Sequence, residues 1–197
     1  MLITKISKAV KTEGRYNIFV NEEFAFSLDE LQLVKLGLRK GQELSESEIT
    51  ELKNESDFGK NYIKALDLIS RRLRSEREIR DYAHKKQWSK KNLERVIERL
   101  YENSYLDDRK FASAFVRSKA TLKNQSRRQL ELALRSKGIK QDIINESIDS
   151  SEEYNENDAL KRLINKKINY YDDEKKLITY LLRQGFNYDD IKNELTP

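Results

Sequence analysis

No cysteine occurs in the 197 residues, which excludes disulfides and thiolate metal sites and fits a reducing compartment. There is one histidine, His84, on the polar side of a helical segment, with no partner in sequence for acid–base work. One proline and six glycines leave few breaks, so a helix-rich fold with much exposed surface is expected. No phosphate-cradling glycine loop and no serine-nucleophile motif is present. Long apolar runs are missing too, including from the opening "MLITKISKAVKTEGRY", so the expectation is a cytoplasmic chain that neither spans a membrane nor carries a leader. Two acidic clusters, Asp107-Asp108 and Asp172-Asp173-Glu174, admit a hard-metal site. Both stand where helices start, and there carboxylates cap amides and favour the helix dipole. A protein without catalytic residues, cofactor or metal is therefore expected.

What is present is charge. Charged residues make up 37% of the chain and hydrophobic ones another 37%, with a net charge of +5. Its distribution is uneven. Residues 1–59 carry 8 Lys/Arg against 11 Asp/Glu, residues 60–140 carry 23 against 10, and residues 141–197 carry 8 against 13. A basic middle between two mildly acidic flanks points to a polyanion or an acidic partner surface.

The same helical skeleton occurs three times. Aligned on Trp88, Ile139 and Phe186, the copies lie 51 and 47 residues apart. Ile79, Leu130 and Leu177 hold one apolar position; Ala83, Leu134 and Leu181 hold another. After the anchors come Leu93, Ile144 and Ile191, then Ile97, Ile148 and Leu195. These spacings keep one face apolar on both sides of a break at the anchor. Because Ile139 and Phe186 share the place of Trp88, that ring reads as core rather than as a base-stacking platform. Gly138 and Gly185 suit the left-handed residue that ends a helix, and Ser89 and Asn187 suit the cap of the next. Ser75, Ser126 and Asp173 are N-caps, and Ser75 with Glu78 and Ser126 with Gln129 read as capping boxes. A further helix precedes each cap, as in "NYIKALDLIS", "KFASAFVRSKA" and "DALKRLINKK". Each unit is three helices, and stacking of neighbours should supply a shared core in a curved, elongated array.

Residues 1–58 differ. Tyr16, Ile18 and Val20 alternate, as do Phe24, Phe26 and Leu28, which predicts short antiparallel strands. "DELQLVKLG" reads as a short helix closed by Gly37, Ser45 with Glu48 caps another, and Gly59 marks a boundary. The expected fold is mainly α: a small N-terminal module with short antiparallel β-strands (residues 1–58), then three-helix repeats at 59–108, 109–150 and 155–197.

The basic residues carry the candidate site. In repeat one Arg71, Arg72, Arg74, Arg77 and Arg80 gather about one interhelical turn, and Lys91 and Arg95 follow on a polar stripe that continues to Arg99. In repeat two the set is Arg117, Lys119, Lys123, Arg127, Arg128, Arg135 and Lys137, set against Glu131. Repeat three offers "DDEKK" at the equivalent turn. Identical scaffolds with divergent charge suggest that the scaffold is structural and the charge functional, with the arginines of the first two repeats expected along one concave face.

"LISRRLRSEREIRDYAHKKQW", "VIERLYENSYLDDRKFASAFVRSK" and "LELALRSKGI" closely resemble the RecX family, bacterial regulators of the recombinase RecA, and "FVNEEFAFSLDELQLVKLGLRKGQELSESEI" is similar to the N-terminal extension of part of that family. The most specific matches are Arg71-Arg72-x-Arg74-Ser75 with Glu78, and Tyr105-Leu106-x-Asp108 with Phe111-Ala112. Leu73, Gln87 and Ser126 depart from it, standing where many members have proline, glycine and glycine. The resemblance implies tandem three-helix modules, no catalysis, and binding in the groove of the RecA filament on single-stranded DNA, usually restraining it, in recombination, repair and the SOS response. A basic array would be drawn to acidic protein and DNA phosphates there, with DNA contacts of either strandedness indifferent to sequence, and would act as a monomer. The alternatives are a sequence-specific transcription regulator, with Lys90 to Arg99 as its recognition helix, and a purely protein-binding scaffold.

Overall fold

The computed structural model describes residues 1–10, 13–122 and 124–196. The chain divides into two compact units, one comprising residues 1–72 and 80–105, the other residues 73–79 and 106–197.

Three antiparallel strands open the chain: β1 (Ile3–Lys8), β2 (Arg15–Val20) and β3 (Glu23–Asp29), in the order β1-β2-β3. Asn21 and Glu22 both take positive φ, the requirement of a tight two-residue hairpin. Ile18, Val20, Phe26 and Leu28 turn inward as their alternation predicts. Phe24 does not; it is 57% exposed. The register slips between Ile18 and Phe19, so that Ile18 faces Phe26 but Phe19 faces Phe24, and a one-residue slip sends a side chain to the other face. Arg15 is buried at the base of this sheet, where its guanidinium donates to the Ser27 carbonyl at 2.5 Å and to the Ser27 hydroxyl. Burial lowers its pKa against the pull of Asp29 and Asp57.

Helix α1 (Glu30–Leu36) is short, held by the Asp29–Gln32 capping box and closed by Gly37 at φ 60°. Helix α2 (Glu46–Arg71) starts at the Ser45–Glu48 box and runs straight through Gly59. The boundary expected at Gly59 therefore lies inside a continuous helix. This glycine answers a close approach instead: a Cβ there would lie 2.9 Å from the Gln32 side chain, which donates to the Glu55 carbonyl. Ile49 and Leu52 of α2 join the sheet core, while Ala65 lies buried further along the same helix.

Repeat one is completed by α3 (Glu76–Lys85) and α4 (Lys90–Glu102). Repeat two comprises α5 (Asp108–Leu122), α6 (Arg127–Ser136) and α7 (Gln141–Asp149). Repeat three comprises α8 (Glu156–Lys167), a 3-10 turn at Ile168–Tyr170, α9 (Glu174–Arg183) and α10 (Tyr188–Leu195). The aligned apolar residues Ile79, Leu130, Leu177, Leu93, Ile144 and Ile191 are all buried, as are Ile139 and Phe186. Trp88 is partly buried and meets the Tyr82 ring edge-on. The fold is thus mainly α, with repeated three-helix domains following a small N-terminal antiparallel sheet in the chain.

Within the second unit the described residues of repeats two and three gather into two apolar clusters rather than one shared core. Repeat two closes a cluster around Phe111, Val116, Leu130, Leu134, Ile144 and Ile148, and repeat three a separate one around Leu160, Leu163, Leu177, Leu181 and Ile191. Three short helices enclose an apolar centre in each repeat, and a set of polar contacts fastens the joint between neighbours. It has the same design twice. Ser75 and Ser126 are fully buried caps whose hydroxyls accept from the amides of Glu78 and Gln129. The first free amide of each capped helix is satisfied by an acid opening the next repeat: Glu76 N–H donates to Asp108 at 2.9 Å, and Arg127 N–H to Glu156 at 2.8 Å. The box partners also reach across. Glu78 accepts from Lys137 Nζ at 2.7 Å, and Gln129 donates to Gln184 at 2.7 Å, so the expected Ser126–Gln129 box keeps only its forward bond.

The turn glycine of the next repeat completes each joint. Gly138 and Gly185 hold φ of 80° and 89°, and a Cβ on them would come within 2.7 Å of Arg77 Cβ and 2.9 Å of Ser126 Oγ. Gln87 takes the same left-handed conformation at φ 55°, and it is exposed. Glycine is kept where a neighbouring repeat presses on the turn, and a side chain is tolerated where none does.

Candidate functional site

The thirteen candidate cations fall into separate environments. In the first unit, Arg71 is exposed and pairs with Asp67 one helical turn back at 2.8 Å. Arg72 ends α2 in extended backbone and is exposed. Arg80 grips Glu94 with both terminal nitrogens, at 2.7 and 2.9 Å, and that fork holds the Glu94 carboxyl below its ordinary range. Arg95 pairs with Glu55 at 2.7 Å and lies 4.3 Å over the Phe58 ring, so it fastens α4 to α2. Lys91 is exposed at the rim of an open groove between α1, α2 and α4. Glu51 and Glu98 share that rim, and their carboxylates make it a poor bed for phosphates.

In the second unit Arg74 lies 4.0 Å from Glu78, which also receives Lys137. Arg77 lays its stem over Gly138. Arg117 faces Glu153 at 3.2 Å. Arg127 is held by Asp149 at 2.5 Å and Glu131 at 3.1 Å; the hydrogen bond to Asp149 is the main cause that raises its pKa and depresses that of Asp149. Lys123 lies outside the described residues.

Arg128 and Arg135 are different. Both are exposed on α6, and neither pairs with a carboxylate among the described residues; the stem of Arg128 lies against Gly185 of repeat three, which leaves its guanidinium as the exposed end. Arg135 Nε donates to Gln141 Oε1 at 2.8 Å, and Gln141 in turn donates to Asn145 at 2.8 Å. Neutral amides thereby fix the guanidinium without cancelling its charge. Leu132 stands between the two arginines, 55% exposed.

The acidic clusters act as caps. Asp107 accepts from the amides of Arg109 and Lys110 at 2.9 and 3.1 Å, and Asp173 from Lys175 at 2.8 Å. Asp108, half-buried, serves the preceding repeat, and burial raises its carboxyl above the ordinary range against the lowering effect of that hydrogen bond. Among the described residues no group of three or more His, Asp or Glu could hold a metal, and no helix is long and apolar enough to cross a membrane. His84 is exposed. Sequence reasoning treated the basic residues as one population; their separation depends on carboxylates far along the chain. Asp108 is visible in sequence as a helix opener, but nothing local marks it, or Glu156, as serving a neighbour.

The match with known proteins is extensive. Residues 1–45 match the regulatory protein RecX N-terminal domain, residues 62–100 the first three-helix domain of RecX and residues 107–148 the second. The chain is 36% identical over 195 residues to the regulatory protein RecX of Bacillus subtilis, covering 96% of this chain and 74% of that one. It is 35% identical over 204 residues to the regulatory protein RecX of Listeria monocytogenes serotype 4a, covering 100% and 75%. A crystal structure of regulatory protein RecX superposes with a TM-score of 0.78 at 26% identity, covering 98% of this chain and 99% of that one. RecX from Lactobacillus salivarius, at 24% identity and a TM-score of 0.62 over 71% of this chain and 94% of that one, shares the fold. With its N-terminal module and both three-helix domains matched, and relatives aligned along nearly its whole length, the chain belongs to the RecX family.

Proposed function

We propose that the chain is a non-catalytic regulator that binds in the groove of the RecA–single-stranded-DNA filament and restrains its ATPase, strand exchange and growth, in the cytoplasm. The observation that carries this reading is the pair Arg128 and Arg135, outward guanidinia without carboxylate partners among the described residues, on a repeat whose other arginines are largely neutralised. Such groups attract carboxylates and phosphates alike, as a filament of acidic protein and DNA offers. Family membership supplies the partner; the relatives are named regulatory proteins. A major-groove reader fits less well, because α7 and α10 carry Asp142, Asp189 and Asp190 in their first turns, where phosphates would be repelled.

Titration into RecA-filament ATPase and disassembly assays tests the proposal, with bare single-stranded and duplex DNA as controls. ATPase should fall and filaments shorten, while bare DNA is bound weakly, with strong salt dependence and no sequence preference. The double variant Arg72→Glu/Arg128→Glu should weaken filament binding at least ~10-fold, and reversal of Lys166 and Lys167 should matter less. A sharp footprint on one duplex site that survives raised salt would replace this function with transcription regulation.

A further inference from the structure

Helix α6 allows a comparison inside one molecule. Its exposed positions Arg128 (whose stem also rests on Gly185), Leu132 and Arg135 correspond, by the spacing from the anchors, to Arg77, Asp81 and His84 on α3 and to Lys175, Thr179 and Leu182 on α9. All nine are exposed. Only on α6 do two arginines bracket a leucine. One exposed leucine is unremarkable on a soluble protein. Its setting is not: Arg128 has no carboxylate partner among the described residues, and Arg135 is steadied by the Gln141–Asn145 amides with its charge intact. A guanidinium held in place beforehand loses less freedom on binding than a loose one.

We propose that this face of α6 docks on protein, on an apolar pocket rimmed by carboxylates on the recombinase subunits, and not on the DNA they carry; the proposal rests on the filament-binding reading above. Arginine forks match carboxylate and phosphate equally, so the two cations alone do not choose. Leu132 does. A phosphate backbone is charged and hydrated along its length and gains nothing from a leucine. A protein pocket removes that side chain from water, and arginines around an apolar centre are the usual composition of an interface core. The partner's carboxylates supply the charge complement that this chain withholds from Arg128 and Arg135.

The decisive variant is Leu132→Thr, which installs, at an exposed position, the residue that α9 carries at the same place. Binding of the full chain is measured by fluorescence anisotropy at low salt, to RecA filaments on a dT oligonucleotide and to the same oligonucleotide bare. The expected result is filament binding weakened about 10-fold or more with bare-oligonucleotide binding unchanged. The double variant Arg128→Gln/Arg135→Gln should lower filament binding by a larger factor, and raised salt should narrow its gap from wild type but not the gap left by Leu132→Thr. Unchanged filament binding by Leu132→Thr overturns the proposal, as does a parallel loss on bare oligonucleotide, which would make α6 a DNA surface. A wild-type chain that ignores the filament is a separate failure, since it removes the regulator reading itself.

Discussion

The joints between repeats and the outward faces of the repeats obey opposite rules. At the joints, residues far apart in sequence repeat one solution: a buried serine, an acid from the next repeat on the first free amide, a glycine pressed beneath, and a matched pair across, Lys137 with Glu78 in one and Gln184 with Gln129 in the other. On the faces, equivalent positions hold residues as unlike as aspartate, leucine and threonine, or histidine, arginine and leucine, all of them exposed. Buried polar groups have few ways to be satisfied, and solvated ones have many. Uniformity therefore marks what the scaffold needs, and divergence marks what it is free to use.

The sharpest way to test that contrast is within one helix. Leu134 is fully buried and Leu132 is exposed, two positions apart on α6. Leu134→Ala should destabilise by roughly 2–5 kcal/mol and Leu132→Ala by under about 0.5 kcal/mol in urea unfolding. Similar losses would erase the distinction between scaffold and face. Next come the joint glycines. Gly138→Ala combines a left-handed backbone with a Cβ 2.7 Å from Arg77 Cβ, and should cost roughly 2–4 kcal/mol.

The bridging acids should have smaller effects and, if the joints are equivalent, similar ones. Asp108→Ala and Glu156→Ala each leave a helix amide without its acceptor, at about 1 kcal/mol by thermal melts. Their pH dependence separates them. Burial raises the folded pKa of Asp108, so ionisation opposes folding and wild type gains stability as pH falls through that pKa. An Asp108→Asn variant should therefore compare best with wild type near neutral pH and lose ground on acidification. The smallest change is Gln87→Gly, expected to alter stability by less than about 1 kcal/mol, because relief of the left-handed side chain is offset by a more flexible unfolded chain. A loss as large as that of Gly138→Ala would show that Gln87, too, carries a joint.

The repeats were legible because apolar periodicity is a local signal: Ile79, Leu130 and Leu177 are found by counting and are buried as counted. The pairing of charges is not local. Arg95 reaches Glu55 and Phe58, and Arg127 reaches Asp149, contacts that only packed helices create. The candidate site could thus be read as a basic region but not resolved into neutralised and available cations. The exposure of Phe24 escaped for a related reason, since alternation assumes a register that the bulge in β3 breaks. Gly59 suits a boundary in sequence, but glycine also permits a close approach, and that use is visible only once Gln32 is placed beside it.

The joint is also a connector. Repeats two and three each bring the acid and the glycine that the preceding repeat needs, while the corresponding cap of repeat three, Asp173, is exposed. A segment with such matched ends can be duplicated or lost as a cassette, without redesign of the copies that remain. Duplication of such a segment would change the number of units in one step and leave the exposed chemistry of each copy free to vary residue by residue.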